Sequence, residues 1–286
     1  MTVTRVHDVR FTRFDGELEG QRQAVWSLAR WSALRSMGAR RSWKVKLVPI
    51  ALTLVAFGPA IVVLGLRALF SAQIPINIAT ALPYKNYDGL IGLTILLFAA
   101  VITPELLCPD RRDRVLTLYF ATALTRTQYV VGKILAAILP LLCVTLFPVW
   151  FLYAGNVLFA DHPLGYVQDH KFDLLRITAA GIAIAVFYGL AGLAIASLTG
   201  RRAFAIGGYL AFMTVPVIVG GSLADGLGRP GLLVMATAAI PIHVAESLYP
   251  GFEGDGPSAA AWAVAYLVVV VGCLAVLIRR YRAVEV

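Results

Sequence analysis

Acidic and basic side chains that could perform acid, base or metal chemistry are sparse in this chain, and none lies in the middle of an apolar segment. Two histidines and two aspartates share the short polar stretch 161–170, and His243 follows a later proline. Such groups could act as general acids or bases on a lipid. Neither paired carboxylates nor a nucleophile beside a base is visible, and the spacing is not that of metal ligands. We therefore expect neither a catalytic residue nor a metal site.

Cysteine and glycine patterns exclude two further kinds of chemistry. Cys108, Cys143 and Cys273 lie in or beside apolar segments without a CxxC spacing, which predicts neither a disulfide nor a metal centre. The only Gly-Lys pair, Gly132 and Lys133, lacks the earlier glycine of a phosphate-binding loop. We expect no cofactor in this chain and no hydrolysis of ATP by it alone.

The basic segment 108–133 has a different kind of pattern. It reads CPDRRDRVLTLYFATALTRTQYVVGK and joins two strongly apolar segments. Leu116, Tyr119 and Phe120 have the i, i+3, i+4 spacing of one apolar helix face, which predicts a short amphipathic helix over residues 113–122. Such a helix can bind in a groove of a soluble partner. Alternatively, the arginines only set membrane topology and the apolar side chains bury against lipid. After this short helix, Thr125 is predicted to cap the helix that leads into the third span.

The composition is that of a polytopic membrane protein. Apolar residues make up 59% of the 286 residues, and only 14% are charged. A spanning helix needs about 20 apolar residues to cross about 30 Å of hydrocarbon. Six segments meet this condition: 46–70, 88–107, 131–159, 174–199, 203–224 and 259–279. We therefore predict an all-α fold in two parts, a tail at 1–45 and a six-helix transmembrane domain at 46–286.

Lys and Arg predict the orientation of these spans. With both termini in the cytoplasm, 20 of the 25 basic residues lie on the cytoplasmic side, in agreement with the positive-inside rule. The net charge of +9 is then explained by topology and anionic headgroups, and we expect no nucleic-acid partner. The first 45 residues lack the apolar core of a signal peptide, so we expect no cleaved targeting sequence.

Two segments outside the spans are also predicted to contact the membrane. Between residues 18 and 43, arginines alternate with Trp26, Trp31 and Trp43, which predicts an interfacial helix before the first span, although a solvated basic tail is the alternative. The apolar segment 231–248 is interrupted by Pro241 and followed by His243 and Glu246. It is too short to cross, so we expect re-entrant helices on the outer side between spans 5 and 6.

The basic loop after the second of six spans resembles the first cytoplasmic loop of ABC-2-type exporter permeases, the membrane subunits of ATP-driven exporters. The match is carried by a leucine-rich helix, a Ser/Thr-Arg pair, an aromatic position and a Gly-Lys pair. In this chain those positions are Leu116, Leu118, Tyr119, Thr125, Arg126, Tyr129, Gly132 and Lys133. Ala123 stands where the family often has proline, which is a departure in the turn. The predicted topology agrees with the resemblance over essentially the whole chain.

The resemblance implies a transport subunit rather than an enzyme. A separate cytoplasmic ABC ATPase, which binds ATP and Mg²⁺, would hold the helix at 113–122 in a surface cleft. A second permease copy, identical or a paralogue, would complete the pathway, and membrane lipids would surround both. The residues expected to couple the ATPase to the spans, either by contact or by holding the ends of the loop, are Glu105, Asp110, Arg111, Arg112, Asp113, Arg114, Leu116, Tyr119 and Arg126.

Two other classes of function stay open at this point. One is an integral-membrane enzyme acting on lipid, with His162, Asp169, His170 or His243 as acid or base. The other is a membrane subunit that anchors or senses for a partner complex without transporting anything. The excess of Arg over Lys, 20 to 5, favours a GC-rich bacterial genome, so we expect a bacterial cytoplasmic membrane. The sequence does not identify a transported molecule.

Overall fold

The structure is a computed structural model that describes residues 20–39, 42–70, 82–113, 115, 119, 124–160, 162–252 and 256–282. These residues form helices and turns, without any strand among them. The α-helices are α1 (Gln21–Ser36), α2 (Trp43–Phe70), α3 (Tyr84–Leu90), α4 (Gly92–Arg112), α5 (Arg126–Thr145), α6 (Phe147–Leu158), α7 (Pro163–Asp169), α8 (Lys171–Ala196), α9 (Arg202–Leu227), α10 (Ile240–Ser247) and α11 (Ala259–Arg282). A 3₁₀ helix, η1 (Pro230–Met235), lies between α9 and α10.

Six of these helical segments are long and apolar enough to span a membrane, as the sequence predicts. They are Val45–Leu69, Gly92–Arg112, Arg126–Leu158, Lys171–Ala196, Arg202–Leu227 and Ala259–Arg282. The chain is therefore a helical, multi-pass membrane protein. Helices α4 and α8 form its centre and are mostly buried, whereas α2, α9 and α11 expose most of their apolar side chains. That exposed apolar surface is what lipid covers in a membrane protein.

The bundle has two distinct ends. At one, α1 packs on α5 and α4, near the last turn of α4 and the start of α5; we call this the α1 end. At the other, which we call the α10 end, the short helices α3, α7 and α10 pack on the spans and on the helices next to them. Gly38 terminates the turn after α1 with φ of 85°, a left-handed conformation that glycine adopts without strain, and α2 begins five residues later.

Two spans differ from their predicted limits. The second was predicted to run from 88 to 107, but it begins at Gly92 after a turn at Ile91 and continues to Arg112. Pro109 and Asp110 therefore lie inside the helix, beyond the predicted end of the span at residue 107. A proline inside a helix removes one backbone hydrogen bond. Burial of Cys108 and ion pairs of Asp110 offset that loss.

The third span is broken into α5 and α6 at Leu146. Pro148 cannot donate a backbone hydrogen bond, so the ladder is interrupted one turn after Val144. The Thr145 hydroxyl donates to the carbonyl oxygen of Gly181 at 3.0 Å and fixes the break against α8. The segment 231–248 is also broken as predicted, with Pro241 in the first turn of α10. Its position relative to the membrane stays a prediction.

Glycines in α8 pack against neighbouring helices of the same chain. A Cβ on Gly192 would lie 2.8 Å from both Cβ and Cγ2 of Thr103, and one on Gly181 would lie 3.2 Å from Leu146 Cδ1. Gly181 and Gly192 therefore allow close approach of helices within the chain.

We expect Gly192→Ala to destabilise the bundle by about 1 to 3 kcal/mol, because the added methyl group meets the Thr103 side chain and α4 must shift from α8. The matched control is Gly207→Ala in α9, where an added Cβ has no heavy atom within 4 Å. Thermal unfolding of the detergent-solubilised protein measures both. Equal unfolding temperatures for the two variants would contradict the close α4–α8 contact.

Candidate functional site

Three helices direct polar side chains toward one buried point at the α1 end. Asp110 lies in the last turn of α4, and Tyr129 and Lys133 are separated by one turn on the same face of α5. Ser32 and Arg35 have the i, i+3 spacing of one face of α1. We call these five residues the Asp110 network.

Asp110 is the centre of this network. Its carboxylate is only 1% exposed, and Oδ1 accepts a hydrogen bond from Arg35 Nη2 at 2.9 Å. Oδ2 accepts from Lys133 Nζ at 2.7 Å and from the Tyr129 hydroxyl at 2.9 Å. Burial by itself lowers the pKa of Arg35, but the hydrogen bond and charge of Asp110 outweigh it and hold that pKa above its usual value. A buried carboxylate with three donors satisfies the conditions under which a buried charge is tolerated.

Lys133 connects the carboxylate to α1. Its side chain is 2% exposed, and Nζ donates to the Ser32 hydroxyl at 3.1 Å in addition to the Asp110 pair. The same nitrogen lies 5.4 Å from the ring centre of Tyr129 and 6.0 Å from that of Tyr119. Both distances are within the range of cation–π attraction. The ammonium group is therefore stabilised on several sides by α1, α4 and α5.

The glycine before Lys133 allows α1 to come this close. A Cβ on Gly132 would lie 2.9 Å from Leu28 Cδ2 and 3.5 Å from the backbone oxygen of Val25. A larger residue would push α1 away from α5 and separate Lys133 from Ser32. Gly132 and Lys133 therefore act together in this structure, because the glycine lets α1 approach and the lysine binds Ser32 of α1. The same Gly-Lys pair contributes to the family resemblance of the sequence.

The start of α5 is fixed by a capping box. Thr125 Oγ1 accepts from the backbone nitrogen of Gln128 at 3.3 Å, and Gln128 Oε1 accepts from the Thr125 nitrogen at 2.9 Å. The predicted cap at Thr125 is confirmed. Gln128 Nε2 also donates to Gln21 Oε1 at 3.0 Å, which joins the first turn of α5 to the first turn of α1.

A second buried carboxylate, Glu105, lies on α4 closer to the junction of α8 and α9. It is 3% exposed, and its Oε2 pairs with Arg202 Nη1 at 2.7 Å. The guanidinium of Arg111 donates to the carbonyl oxygen of Ser197 at the end of α8. These contacts attach α4 to the short turn between α8 and α9.

Arg112, Asp113 and Arg126 line the solvent-exposed edge of the same end. Arg112 Nε and Asp113 Oδ1 are 2.9 Å apart, and their side chains are 75% and 52% exposed. Arg126 Nη1 donates to the carbonyl oxygen of Arg282 at 3.0 Å, which joins α5 to the end of α11. Among the predicted coupling residues, these three are therefore accessible to a soluble partner.

Aromatic rings continue the network toward α11. The ring centre of Tyr129 lies 5.5 Å from that of Tyr119 and 5.4 Å from that of Tyr281 on α11. Burial, and next the charge of Asp110, raise the pKa of Tyr119. Tyr119 therefore lies against the network. Arg114 and Leu116, together with most of the predicted helix at 113–122, lie outside the described residues.

The structure separates the predicted coupling residues into two groups. Asp110 and Glu105 are buried and hold helices together, whereas Arg112, Asp113 and Arg126 are exposed. Sequence reasoning did not include Ser32, Arg35, Tyr129 or Lys133 among the coupling residues. Two features of the sequence could have pointed to them. One is the i, i+3 spacing of Ser32 and Arg35 in a segment rich in Trp and Arg, and the other is the position of Lys133 inside an apolar helix.

The histidines considered for lipid chemistry do not form a common centre. The His170 ring stacks on Tyr166, with 4.1 Å between ring centres, and His243 Nδ1 lies 2.8 Å from Glu246 Oε2. In the part of the chain that the structure describes, no group of three or more His, Cys, Asp or Glu residues could hold a metal ion.

Neither a protein-family model nor a curated protein sequence matches this chain. What the site can do must therefore be read from its geometry. Among the described residues, the Asp110 network makes ion pairs and hydrogen bonds between helices. Its contacts can transmit force, because they join α1, α4 and α5 on both sides of the segment 113–125.

Asp110→Asn is expected to leave Lys133 and Arg35 facing a neutral amide and to destabilise the protein by about 3 to 5 kcal/mol. The matched control is Asp113→Asn, three residues later, whose exposed carboxylate pairs only with exposed Arg112 among the described residues and whose loss should have no measurable effect. Thermal unfolding in detergent reports stability. Limited proteolysis between α1 and α2 reports release of α1. A stable Asp110→Asn protein with α1 still protected would show that the network does not hold the helices together.

Proposed function

We propose that this chain is the membrane permease subunit of an ABC-type exporter and that a separate cytoplasmic ATPase drives it. One observation supports this most: the segment 113–125 is anchored at both ends to buried contacts that join four helices. Asp110 lies just before the segment, and Tyr129 and Lys133 lie just after it. A displacement of the segment therefore has to move α1, α4 and α5 together, with α11 following through Tyr281.

The proposed orientation has both termini and the α1 end in the cytoplasm. It rests on the basic residues, since Arg111, Arg112, Arg126, Arg201, Arg202, Arg279, Arg280 and Arg282 all occur at that end. Trp26 and Trp31 on α1 are exposed while Leu28, Ser32 and Ala33 are buried against α4 and α5. That division supports an interfacial helix on the cytoplasmic leaflet of a bacterial membrane, because tryptophan favours the headgroup region.

At the α10 end, the proposal places η1 and α10 as re-entrant helices on the outer side. Both are too short to span the hydrocarbon, at six and eight residues. Helix α10 packs on α8 and α11, and backbone polar groups at membrane depth are tolerated when protein covers them. A second permease copy would complete the pathway, and the exposed apolar faces of α2, α9 and α11 offer surface for it as well as for lipid.

The proposed partner is an ATPase whose cleft receives the segment 113–122 and whose surface meets Arg112 and Asp113. Since Asp110 and Glu105 are buried, we assign them the role of transmitting movement and leave direct contact to the exposed edge. Nucleotide and Mg²⁺ would be bound by the ATPase. The transported molecule is left open.

Affinity purification from the native membrane tests the partnership. We expect an ATPase with a phosphate-binding loop to co-purify with the unaltered protein and to be lost with Arg112→Glu or Leu116→Asp. Arg176→Glu is the matched control, because Arg176 also pairs with a neighbouring aspartate, Asp173 at 2.9 Å, but lies at the α10 end. It should retain the ATPase.

Two experimental outcomes would contradict the proposal, in whole or in part. If no ATPase accompanies the unaltered protein under conditions that preserve other membrane complexes, the exporter proposal fails. If an ATPase binds but inverted vesicles show no ATP-dependent change in their contents relative to vesicles with Arg112→Glu, the chain is an anchoring or sensing subunit and not a permease.

A further inference from the structure

A third buried carboxyl group, Asp88, lies on α3 at the α10 end and differs from the other two. Its side chain is 4% exposed, and Oδ1 is buried without a hydrogen-bond partner among the described residues. Asp110 and Glu105 each face an arginine or a lysine, whereas Asp88 has no ion pair among the described residues. An ionised carboxylate in such a position loses its hydration without gaining a cation or a hydrogen-bond donor, so the group is more stable when it carries a proton.

The neighbouring helices add negative charge and an unsatisfied hydroxyl. Glu246 lies where α10 approaches α3. A Cβ added to Gly89, the residue after Asp88, would lie 3.8 Å from Glu246 Oε1. Glu246 Oε2 pairs with His243 Nδ1 at 2.8 Å. Immediately after α10, the Tyr249 hydroxyl is buried and, like Asp88 Oδ1, has no partner among the described residues.

Besides those on α10, and apart from Lys85 on α3 itself, the groups named around Asp88 are uncharged. Helix α8 contributes Tyr188, whose hydroxyl donates to the carbonyl oxygen of Ala238 at 2.8 Å. From α2, the carbonyl oxygen of Ala56 accepts from the Tyr87 hydroxyl, and the first two turns of α4 contain no ionisable residue. On α3 itself, Lys85 lines the cavity described below and forms no ion pair among the described residues.

These surroundings move the titration of Asp88 into the physiological range. Burial, and next the charge of Glu246, raise the pKa of Asp88 to about 7. Burial, and next the charge of Asp88, also raise the pKa of Tyr249, so the tyrosine stays a neutral hydroxyl. Near neutral pH, Asp88 therefore exchanges its proton, while Glu246 Oε2 lies 2.8 Å from His243 Nδ1 on the same helix.

A cavity lies beside this contact. It has a volume of about 290 Å³ and is lined by Lys85, His243, Glu246, Phe252 and Trp262, among others. The Trp262 ring lies 4.4 Å from the His243 ring, centre to centre. A movement of α10 relative to α3 would change this stacking and the shape of the cavity, because Glu246 and His243 both belong to α10.

We propose that Asp88 is a proton-binding site exchanging with water at the α10 end, and that its proton keeps α3 and α10 in contact. With the proton bound, a neutral acid faces Glu246 across the close approach at Gly89. When the proton leaves to water, two carboxylates face each other in apolar surroundings, and their repulsion separates α10 from α3 and enlarges the cavity. This inference does not depend on the proposed transport function, because nothing in it requires an ATPase or a substrate.

Infrared difference spectroscopy of the purified full-length protein tests the proton site directly. From about pH 5 to about pH 9, either side of the Asp88 midpoint, we expect the carbonyl stretch of a protonated carboxylic acid to disappear with a midpoint near neutral pH. The band should be absent in Asp88→Asn. It should titrate at lower pH in Glu246→Gln, because the like charge is removed.

The matched control is Asp173→Asn, which removes a carboxylate at the same end that is paired with Arg176 and should leave the band unchanged. Absence of the band in the unaltered protein at low pH, or its persistence in Asp88→Asn, would overturn the proton site. Because Glu246→Gln shifts the band without removing it, the test holds even if Asp88→Asn folds poorly.

Trp262 emission tests the contact between α3 and α10. Over the same pH range we expect a change in emission in the unaltered protein, with the spectrum of Trp262→Phe subtracted to isolate this residue. Asp88→Asn, which resembles the protonated acid, should hold the low-pH spectrum throughout. If the infrared band titrates while Trp262 emission stays constant, Asp88 binds a proton but does not control the position of α10, and the second half of the proposal is overturned.

Stability provides a pH-dependent readout of the same site. Since the pKa of Asp88 is raised in the folded protein, the folded state retains a proton that the unfolded state loses, and stability falls as pH rises from about 4 to about 7. We expect Asp88→Asn to match the unaltered protein in unfolding temperature near pH 4 and to exceed it near pH 8. A constant difference between the two proteins across this range would contradict a protonated Asp88.

Discussion

The carboxylate of Asp110 is the interaction on which the α1 end of the bundle depends. Without it, Lys133 would be a buried cation and Arg35 a half-buried one, and α4 would lose the ion pairs that fix its position relative to α1 and α5. Apolar contacts give stability but little directional specificity, whereas two ion pairs and a tyrosine hydrogen bond on one carboxylate fix both distance and rotation. Two cations and one anion carry a net positive charge, and the rings of Tyr119 and Tyr129 stabilise it through cation–π contacts with Lys133.

The buried carboxyl groups at the two ends have opposite surroundings, and this difference assigns them opposite behaviour. Asp110 faces cations, so its charge is compensated and its contacts persist over the physiological pH range. Asp88 faces another carboxylate and an apolar environment, so its protonation changes with the pH of the solution. One end of the bundle is thus held by fixed charge pairs, while the contact between α3 and α10 at the other end responds to its surroundings.

Much of the fold could be predicted from the sequence, because membrane-spanning helices are set by length and hydrophobicity alone. All six spans and the Thr125 cap follow from local patterns of this kind. The continuation of α4 through Pro109 could not be predicted, since it depends on partners of Asp110 that are 75 residues before it and 23 after it in the chain. Arg35 and Ser32 were missed for the same reason. Their role comes from the packing of α1 on α5, which Gly132 permits and which a local sequence pattern does not predict. The start of the second span was misplaced because the sequence from Asp88 to Leu90 is continuous in pattern with α4, although the chain turns at Ile91, where Ile242 of α10 packs beside Gly89 and Gly92.

Helix breaks are distributed unevenly along the bundle, and this constrains how movement can pass through it. Breaks at Ile91 and Leu146 both lie toward the α10 end, whereas α4 and α5 are continuous where they meet α1. A continuous helix transmits displacement along its axis, and a break allows the segments on either side to rotate separately. A displacement of the Asp110 network would therefore reach the centre of the bundle as a rigid-body shift of α4 and α5. Beyond the breaks, α3 and α6 can respond differently from the helices that precede or follow them, and the contact of α3 with α10 is the one whose strength depends on a proton.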